Sequence, residues 1–490
     1  MHTTDTVVTP DSTTHTTGET VHGVRRELEV RHMVMLALGG VIGSGLFISS
    51  GYTITQAGPL GTVLAYLVGA AVAFMVMACM GELAVQYPEA GGFHVYAYKA
   101  ISPAAGFTTA WLYWLCWVAA LGSELTASGL LMQRWFPQVD VWVWSLVFAA
   151  VLFGINAFSV RGFGEAEFWF SLVKVIAVVV LIVVGAAAIL GFGNGDEPAP
   201  LFHNFHTPDG YFPTGFGGVI ITILAVFYAF SGTELIAIAA GEAKDPNRSI
   251  PKALHTTLFR LLVFFVGAII VIAALIPWEQ LQDIGGDESV ENSPFVLVFE
   301  QVGIPYADDI MAGVIIVALL SAGNSGLYAC SRLLYSMAKM KQLPTIFGKT
   351  TTRGVPLFAI TVSLIAGLAA LVSSVVSPGA VYLALVSIAG FAVVAVWMVI
   401  VVAQMRNRSQ YLASGSKLED LVYRTLFYPA LPIATLLILA ISLVAVAFDP
   451  SQVAALYFGI PFVGLCYLVH WAMQKRAERS APASSGSTHP

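Results

Sequence analysis

Charge is what this sequence lacks. Only 11% of its 490 residues are Asp, Glu, Lys or Arg, against roughly 25% in an ordinary soluble protein. Too few charges remain to solvate the surface of a globule this long, which excludes a soluble enzyme, a nucleic-acid-binding protein and a disordered chain. Cysteine is scarce as well. Cys79, Cys116, Cys330 and Cys466 all fall in apolar runs without CxxC or Cys/His spacing, so they read as small core hydrophobes rather than a zinc site or a disulfide framework. No HExxH, no paired His/Asp metal spacing and no selectivity-filter run is present. A membrane enzyme or channel therefore has no support, and neither a metal nor a cofactor is expected.

Hydrophobic residues, 57% of the chain, take the place of the missing charge. About 20 apolar residues cross the roughly 30 Å hydrocarbon core as a helix. Twelve such runs predict an all-α polytopic membrane protein, with spans 1 to 12 at 33–56, 59–83, 103–134, 141–160, 167–192, 216–240, 256–277, 309–340, 356–376, 381–404, 427–447 and 453–474. Residues 1–24, rich in threonine, carry neither a core pattern nor the basic-then-apolar order of a signal peptide. They read as a disordered cytosolic tail, and 476–490 as a second one.

Basic residues stay on the cytoplasmic side and so orient the spans. Arg25, Arg26, Arg31, Lys99, Arg161, the Lys244/Arg248/Lys252/Arg260 loop, the Arg332 to Arg353 segment, the Arg406 to Arg424 loop and Lys475 to Arg479 all fall inside if the N-terminus is inside. Arg134 alone falls outside, and Lys174 alone lies well within a span. Residues 192–215 and 278–308 are acidic, with no Lys or Arg. An even number of spans with both termini cytoplasmic fits every loop.

Two spans look interrupted. Span 1 reads MLALGGVIGSGLFISSG, and Ile42, Gly43, Ser44 and Gly45 form its weakest point. Glycine there serves either close helix packing or an unwound segment whose N–H groups meet a carboxylate. Span 6 reads FYAFSGTEL, with Ser231-Gly232 followed by the acid Glu234. Matching interruptions in the first helices of two five-helix halves point to an inverted-repeat transporter with its site at the midplane. Free N–H groups and free carbonyls together suit a zwitterion such as an α-amino acid.

GGVIGSGLF in span 1, AGP at 57–59, GELAV at 81–85, FGEAEFWFSLVKV at 163–175, FSGTELIAIAAGEAKDPNRSIPKA at 230–253 and SAGNSGLYACSRLLY at 321–335 resemble the bacterial amino acid permeases of the amino acid–polyamine–organocation superfamily. The resemblance implies the leucine-transporter-type fold, ten helices in two inverted halves (25–404) plus two more (405–475), importing amino acids with protons. GFHVYAY, AWLYWLCWVAALGS, WFPQVDVWVW and GFAVVAVW are similar to S-methylmethionine permeases, whereas the acid of GSELTASG is similar to arginine/ornithine permeases.

Each ionisable residue at bilayer depth is a functional candidate. Glu124, some 20 residues into span 3, is read as a packing acid, a partner for a cationic substrate, or a proton carrier. Lys174, about seven residues into span 5, either snorkels to the interface or, as the resemblance implies, replaces a sodium ion and couples transport to protons. Glu234 is expected to anchor unwound backbone. Asn324 and Ser325 of span 8 are candidates to bond span 1 or simply to pack. Phe230, beside the second break, is a candidate gate or cation–π face, and Trp111, Trp114 and Trp117 are expected to pack.

The leading expectation is a proton-coupled amino acid importer in a bacterial plasma membrane, for substrates with a cationic side chain. A permease for neutral, aromatic or 4-aminobutyrate-type substrates and a transporter-like sensor are the alternatives. The partners expected are the amino acid, protons and the bilayer, with no nucleic acid and no obligate protein partner.

Overall fold

The computed structural model describes residues 30–88, 91–158, 160–192, 198–240, 245–283, 293–302, 306–371, 378–448 and 452–480. The expected N-terminal tail with Arg25 and Arg26, residues 481–490 of the expected C-terminal tail, Lys244, and the loop acids Asp196, Glu197, Asp287, Glu288 and Glu291 lie outside the described residues, whereas 476–480 continue the last helix. Among the described residues the chain is helical and carries no strand.

Span 1 is the half-helix Val30–Val41, a bend, the short turn Ser44–Phe47, and a helix that starts at Ser49. That last helix continues to Gln86, but Gly58 inside it has φ 72° and ψ 171°, with Pro59 next. A positive φ requires glycine, and proline supplies no N–H. Span 1 therefore ends and span 2 begins at this pair. Span 3 is Pro103–Met132, opened by Ser102, whose hydroxyl accepts from Ala105 N–H at 3.1 Å. Then follow Val141–Phe158, Val160–Ile189, the interrupted pair Gly215–Ala229 and Leu235–Ala239, Pro246–Leu275, Ala307–Lys339, Leu357–Leu371, Pro378–Ala413, Ala430–Val446 and Ala454–Ser480. The protein is a polytopic helical membrane protein of twelve spans, as the apolar runs predict. Short helices, Phe93–Ala100, Trp278–Asp283 and Pro294–Val302, lie between them.

The helices outrun the apolar segments. Span 5 starts at Val160 rather than 167, and span 7 at Pro246 rather than 256. Arg248, Lys252 and Arg260, expected in a loop, stand on the first half of span 7; Arg408, expected in the loop after span 10, stands on that span, and Arg332 stands on span 8. Hydropathy marks only the stretch that meets hydrocarbon, whereas a helix continues as long as its backbone bonds and neighbours allow. Lys174 is accordingly fourteen residues into its helix, about 21 Å at 1.5 Å per residue. It is also not the one basic group enclosed by protein, since Arg332 and Arg408 are buried too.

Span 3 lies against spans 8 and 10, span 2 against spans 6 and 7, and span 1 against spans 5, 7 and 8. Spans 11 and 12 sit at the periphery and expose Leu437, Ile441, Val444, Tyr457, Phe458 and Leu468. In a bilayer such a face contacts lipid, so association rests on packing of small residues and on polar contacts inside. Arg134, the lone cation expected outside, reaches Glu300 (3.3 Å), Asp308 and Asp309 (2.8 Å) and ties span 3 to the start of span 8. All four cysteines are buried and free.

Candidate functional site

The two interruptions face each other. Gly232 has φ +99°, and a Cβ there would lie 2.8 Å from the carbonyl carbon of Gly40. A Cβ on Gly45 would lie 2.6 Å from Cα of Ala229, at the end of the first half of span 6. Only glycine permits backbone to approach backbone this closely.

The first break separates charge. Beyond that of Leu38, which accepts from Ile42 N–H at 3.0 Å, the carbonyls at the end of the half-helix Val30–Val41 meet the bend, and that of Gly39 accepts the Lys174 ammonium. Lys174 is 0% exposed, so it does not snorkel. On the other side of the bend, Ser44 N–H donates to both oxygens of Glu124, at 3.1 and 3.2 Å, and its hydroxyl donates to Oε1 at 3.0 Å. A Cβ on Gly43 would lie 2.6 Å from the same Oε1 and 2.8 Å from Cβ of Ala322 on span 8. Glu124 thus occupies the Ser44 N–H and hydroxyl donors at this bend.

Three tyrosines complete the enclosure, none of them singled out by the sequence. Tyr228 OH lies 3.2 Å from Ser44 Oγ and 3.1 Å from Ser123 Oγ. Tyr382 OH donates to Ser44 O at 3.3 Å and lies 2.9 Å from Ser49 Oγ, while Tyr66 OH donates to Gly45 O at 3.3 Å. A tyrosine in an apolar run reads as packing, and only the fold shows where its hydroxyl ends.

The remaining candidates divide. Ile42 is fully buried at the bend. Ser231 Oγ donates to Tyr228 O at 2.6 Å. Glu234 accepts from Gly232 N–H at 3.0 Å, from Trp397 Nε1 at 3.3 Å and from Thr233 Oγ1 at 3.3 Å, the arrangement of an acid that anchors unwound backbone. Phe230 is buried against Phe265 and Tyr66, with ring centroids 4.8 and 6.1 Å away; the ring that reaches Ser44 is Tyr228. Asn324, a candidate to bond span 1 or simply to pack, bonds spans 4 and 5: its amide donates to Glu167 Oε2 at 3.0 Å, and its oxygen accepts from Asn156 at 2.6 Å. Span 1 offers glycines here and no polar side chain. Ser325 packs toward Gly40, and its hydroxyl has no partner among the described residues. Trp114 donates to Ser363 at 3.0 Å and Trp117 packs on Gly326.

Sequence reasoning also missed Glu167, which is 1% exposed and lies seven residues before Lys174 on the same helix face. The i, i+7 spacing from a singled-out lysine was the available signal. Among the described residues no group of three His, Cys, Asp or Glu could hold a metal ion.

A twelve-span helical fold whose first and sixth spans are broken side by side, with buried charges at the break, defines a membrane transporter of the discontinuous-helix class. The chain belongs to the amino acid permease family, whose profile matches residues 32–481. It is 46% identical over 459 residues to the amino-acid permease RocE of Bacillus subtilis (strain 168), covering 93% of this chain and 97% of that one. It is 41% identical over 461 residues to the lysine-specific permease LysP of Escherichia coli (strain K12), covering 92% and 93%. It is 37% identical over 465 residues to the histidine permease HisP of Lactococcus lactis subsp. cremoris (strain MG1363), covering 92% and 96%.

Proposed function

We propose that this permease imports amino acids with a cationic side chain, such as lysine, arginine, ornithine or S-methylmethionine, together with protons. The observation that carries the reading is the Glu124 carboxylate seated on Ser44 at the first break. A substrate carboxylate has the same chemistry and claims the same donors. Glu124 is then released to face the cationic end of the substrate or to take up a proton, because two carboxylates in a dry site cannot share one set of donors while both are charged. The name of one relative, a lysine-specific permease, supports the cationic class.

In this reading Ile42, Gly43, Ser44, Gly45, Phe230, Ser231, Gly232 and Glu234 form or hold the substrate site. Lys174 and Glu124 carry the coupling, and Asn324 and Ser325 hold span 8 in place, Asn324 through Glu167 of span 5 and Asn156 of span 4 and Ser325 by packing toward Gly40 of span 1. Residues 25–404 form the transport core and 405–475 two peripheral helices. The chain resides in a bacterial plasma membrane with both ends in the cytoplasm. Uptake of a labelled amino-acid panel into proteoliposomes at two proton gradients tests substrate and coupling together. Lysine or arginine accumulation that rises with the gradient is expected; accumulation of neutral amino acids alone, or none that follows the gradient, overturns the reading.

A further inference from the structure

The face of span 5 that meets span 1 carries Glu167, Ser171 and Lys174 at positions i, i+4 and i+7. All three converge on span 1 around one glycine. Lys174 donates to Gly39 O; Ser171 Oγ donates to Met35 O at 2.9 Å; and a Cβ on Gly39 would collide with Glu167 Oε1 and Ser171 Oγ. Gly39 is therefore pressed between a carboxylate and an ammonium. The carboxylate is fixed from the other side, since Oε1 accepts from Ser321 Oγ at 2.7 Å and Oε2 from Asn324 Nδ2 at 3.0 Å, both on span 8. Asn324 is itself oriented by Asn156 of span 4.

Two carboxylates flank Lys174 at the bend: Glu167, seven residues earlier on the same helix and against Gly39, and Glu124 of span 3, seated on Ser44. From span 8 the basic group on this face is Arg332, which stacks on Tyr328 at 4.8 Å, and Tyr328 stacks on Phe163 of span 5 at 4.6 Å. Span 4 has no charged residue, and the basic residues of span 7, Arg248, Lys252 and Arg260, stand on its first half and are not buried.

We propose that Glu167 is the positioning residue of the coupling lysine: its fixed negative charge holds the Lys174 ammonium on Gly39, and its anchors on span 8 turn that hold into a junction of spans 1, 5 and 8. This rests on the coupling role assigned to Lys174 above. While Lys174 is protonated, span 1 is held against spans 5 and 8. Loss of the proton removes the positive charge, which weakens the hydrogen bond to Gly39 O and ends the attraction to Glu167, freeing the first half of span 1 to move. Glu167 thereby sets the pH at which the junction opens.

The test is the normalised pH profile of labelled lysine uptake in proteoliposomes for the wild type, Glu167→Gln, the double variant Glu167→Gln/Asn324→Asp, and Lys174→Ala. Removing a neighbouring negative charge disfavours the ammonium, so it loses its proton at lower pH. The midpoint of the alkaline limb in Glu167→Gln is expected to fall by about one pH unit, as for a charge some two helical turns away. The double variant returns a carboxylate to the same network and is expected to bring the midpoint back toward the wild type. A lowered rate with an unmoved midpoint makes Glu167 a scaffold residue and overturns the proposal. So does loss of uptake in both variants when the protein is inserted. If Lys174→Ala keeps proton-driven accumulation and the wild-type profile, the coupling reading itself falls; if its profile is flat while Glu167→Gln leaves the midpoint unmoved, only the role of Glu167 does.

Discussion

The residues that set the chemistry are few, and the sequence showed some better than others. Glu124 and Lys174 stood out because an ionisable group in an apolar run is rare, and the structure places both at the first break, on opposite sides of the bend. What each faces was not legible, because their partners are backbone groups and hydroxyls that no pattern marks: Ser44 N–H lies 80 positions from Glu124, and Gly39 O lies 135 from Lys174. Glu124→Gln keeps the shape and removes the charge. Uptake of lysine or arginine is expected to fall at least tenfold more than that of any neutral amino acid carried, as measured by parallel initial rates. Equal losses with a displaced pH optimum would leave Glu124 a proton carrier only, and wild-type behaviour would refute both roles. Lys174→Ala is expected to abolish accumulation against a gradient while exchange of internal for external substrate is partly spared. Two assays on one preparation, net uptake and counterflow, separate these.

At the scale of elements, the core of each span was legible, because the hydrocarbon thickness fixes how many apolar residues a crossing needs. Helix ends were not, and Arg248 and Lys252 show why: they extend span 7 beyond the apolar run, where lipid imposes no composition. Both breaks were legible from glycine and serine clusters. Their contact, Gly232 on Gly40 and Gly45 on Ala229, was not. That contact makes the breaks intolerant of bulk. Gly43→Val places a branched side chain where Glu124 Oε1 stands 2.6 Å from the Cβ position, and Gly232→Val adds a left-handed φ to a backbone clash. Such strain amounts to roughly 1–3 kcal/mol at each site. Both variants are expected to insert and to lose uptake, read by membrane-fraction blotting beside transport; normal uptake by Gly43→Val would rule out a functional bend.

For the whole molecule, a bundle in lipid has little hydrophobic force between its helices, so buried polar contacts between distant segments carry much of the specificity. One such cluster centres on Glu82. Glu82, fully buried near the end of span 2, pairs with Arg408 of span 10, whose Nε donates to Oε1 at 2.9 Å. It also accepts from Gln404 at 3.1 Å and from Thr425 N–H and Oγ1 at 2.8 and 2.9 Å, while the Arg408 guanidinium stacks 4.3 Å over Tyr428. One carboxylate thus binds span 2, span 10 and the connector to span 11. Neither GELAV nor the run of arginines after 405 revealed a pairing across 326 residues of chain. Removing one partner strands the other charge, which destabilises by about 3–5 kcal/mol. Arg408→Leu is therefore expected to lower the thermal unfolding midpoint in detergent markedly. Glu82→Leu/Arg408→Leu is expected to regain part of that loss, because no charge is left unpaired although Thr425 N–H and the Gln404 amide lose their acceptor. A double variant no more stable than Arg408→Leu alone would mean that the hydrogen bonds to Thr425 and Gln404, rather than the ion pair, hold these three segments together.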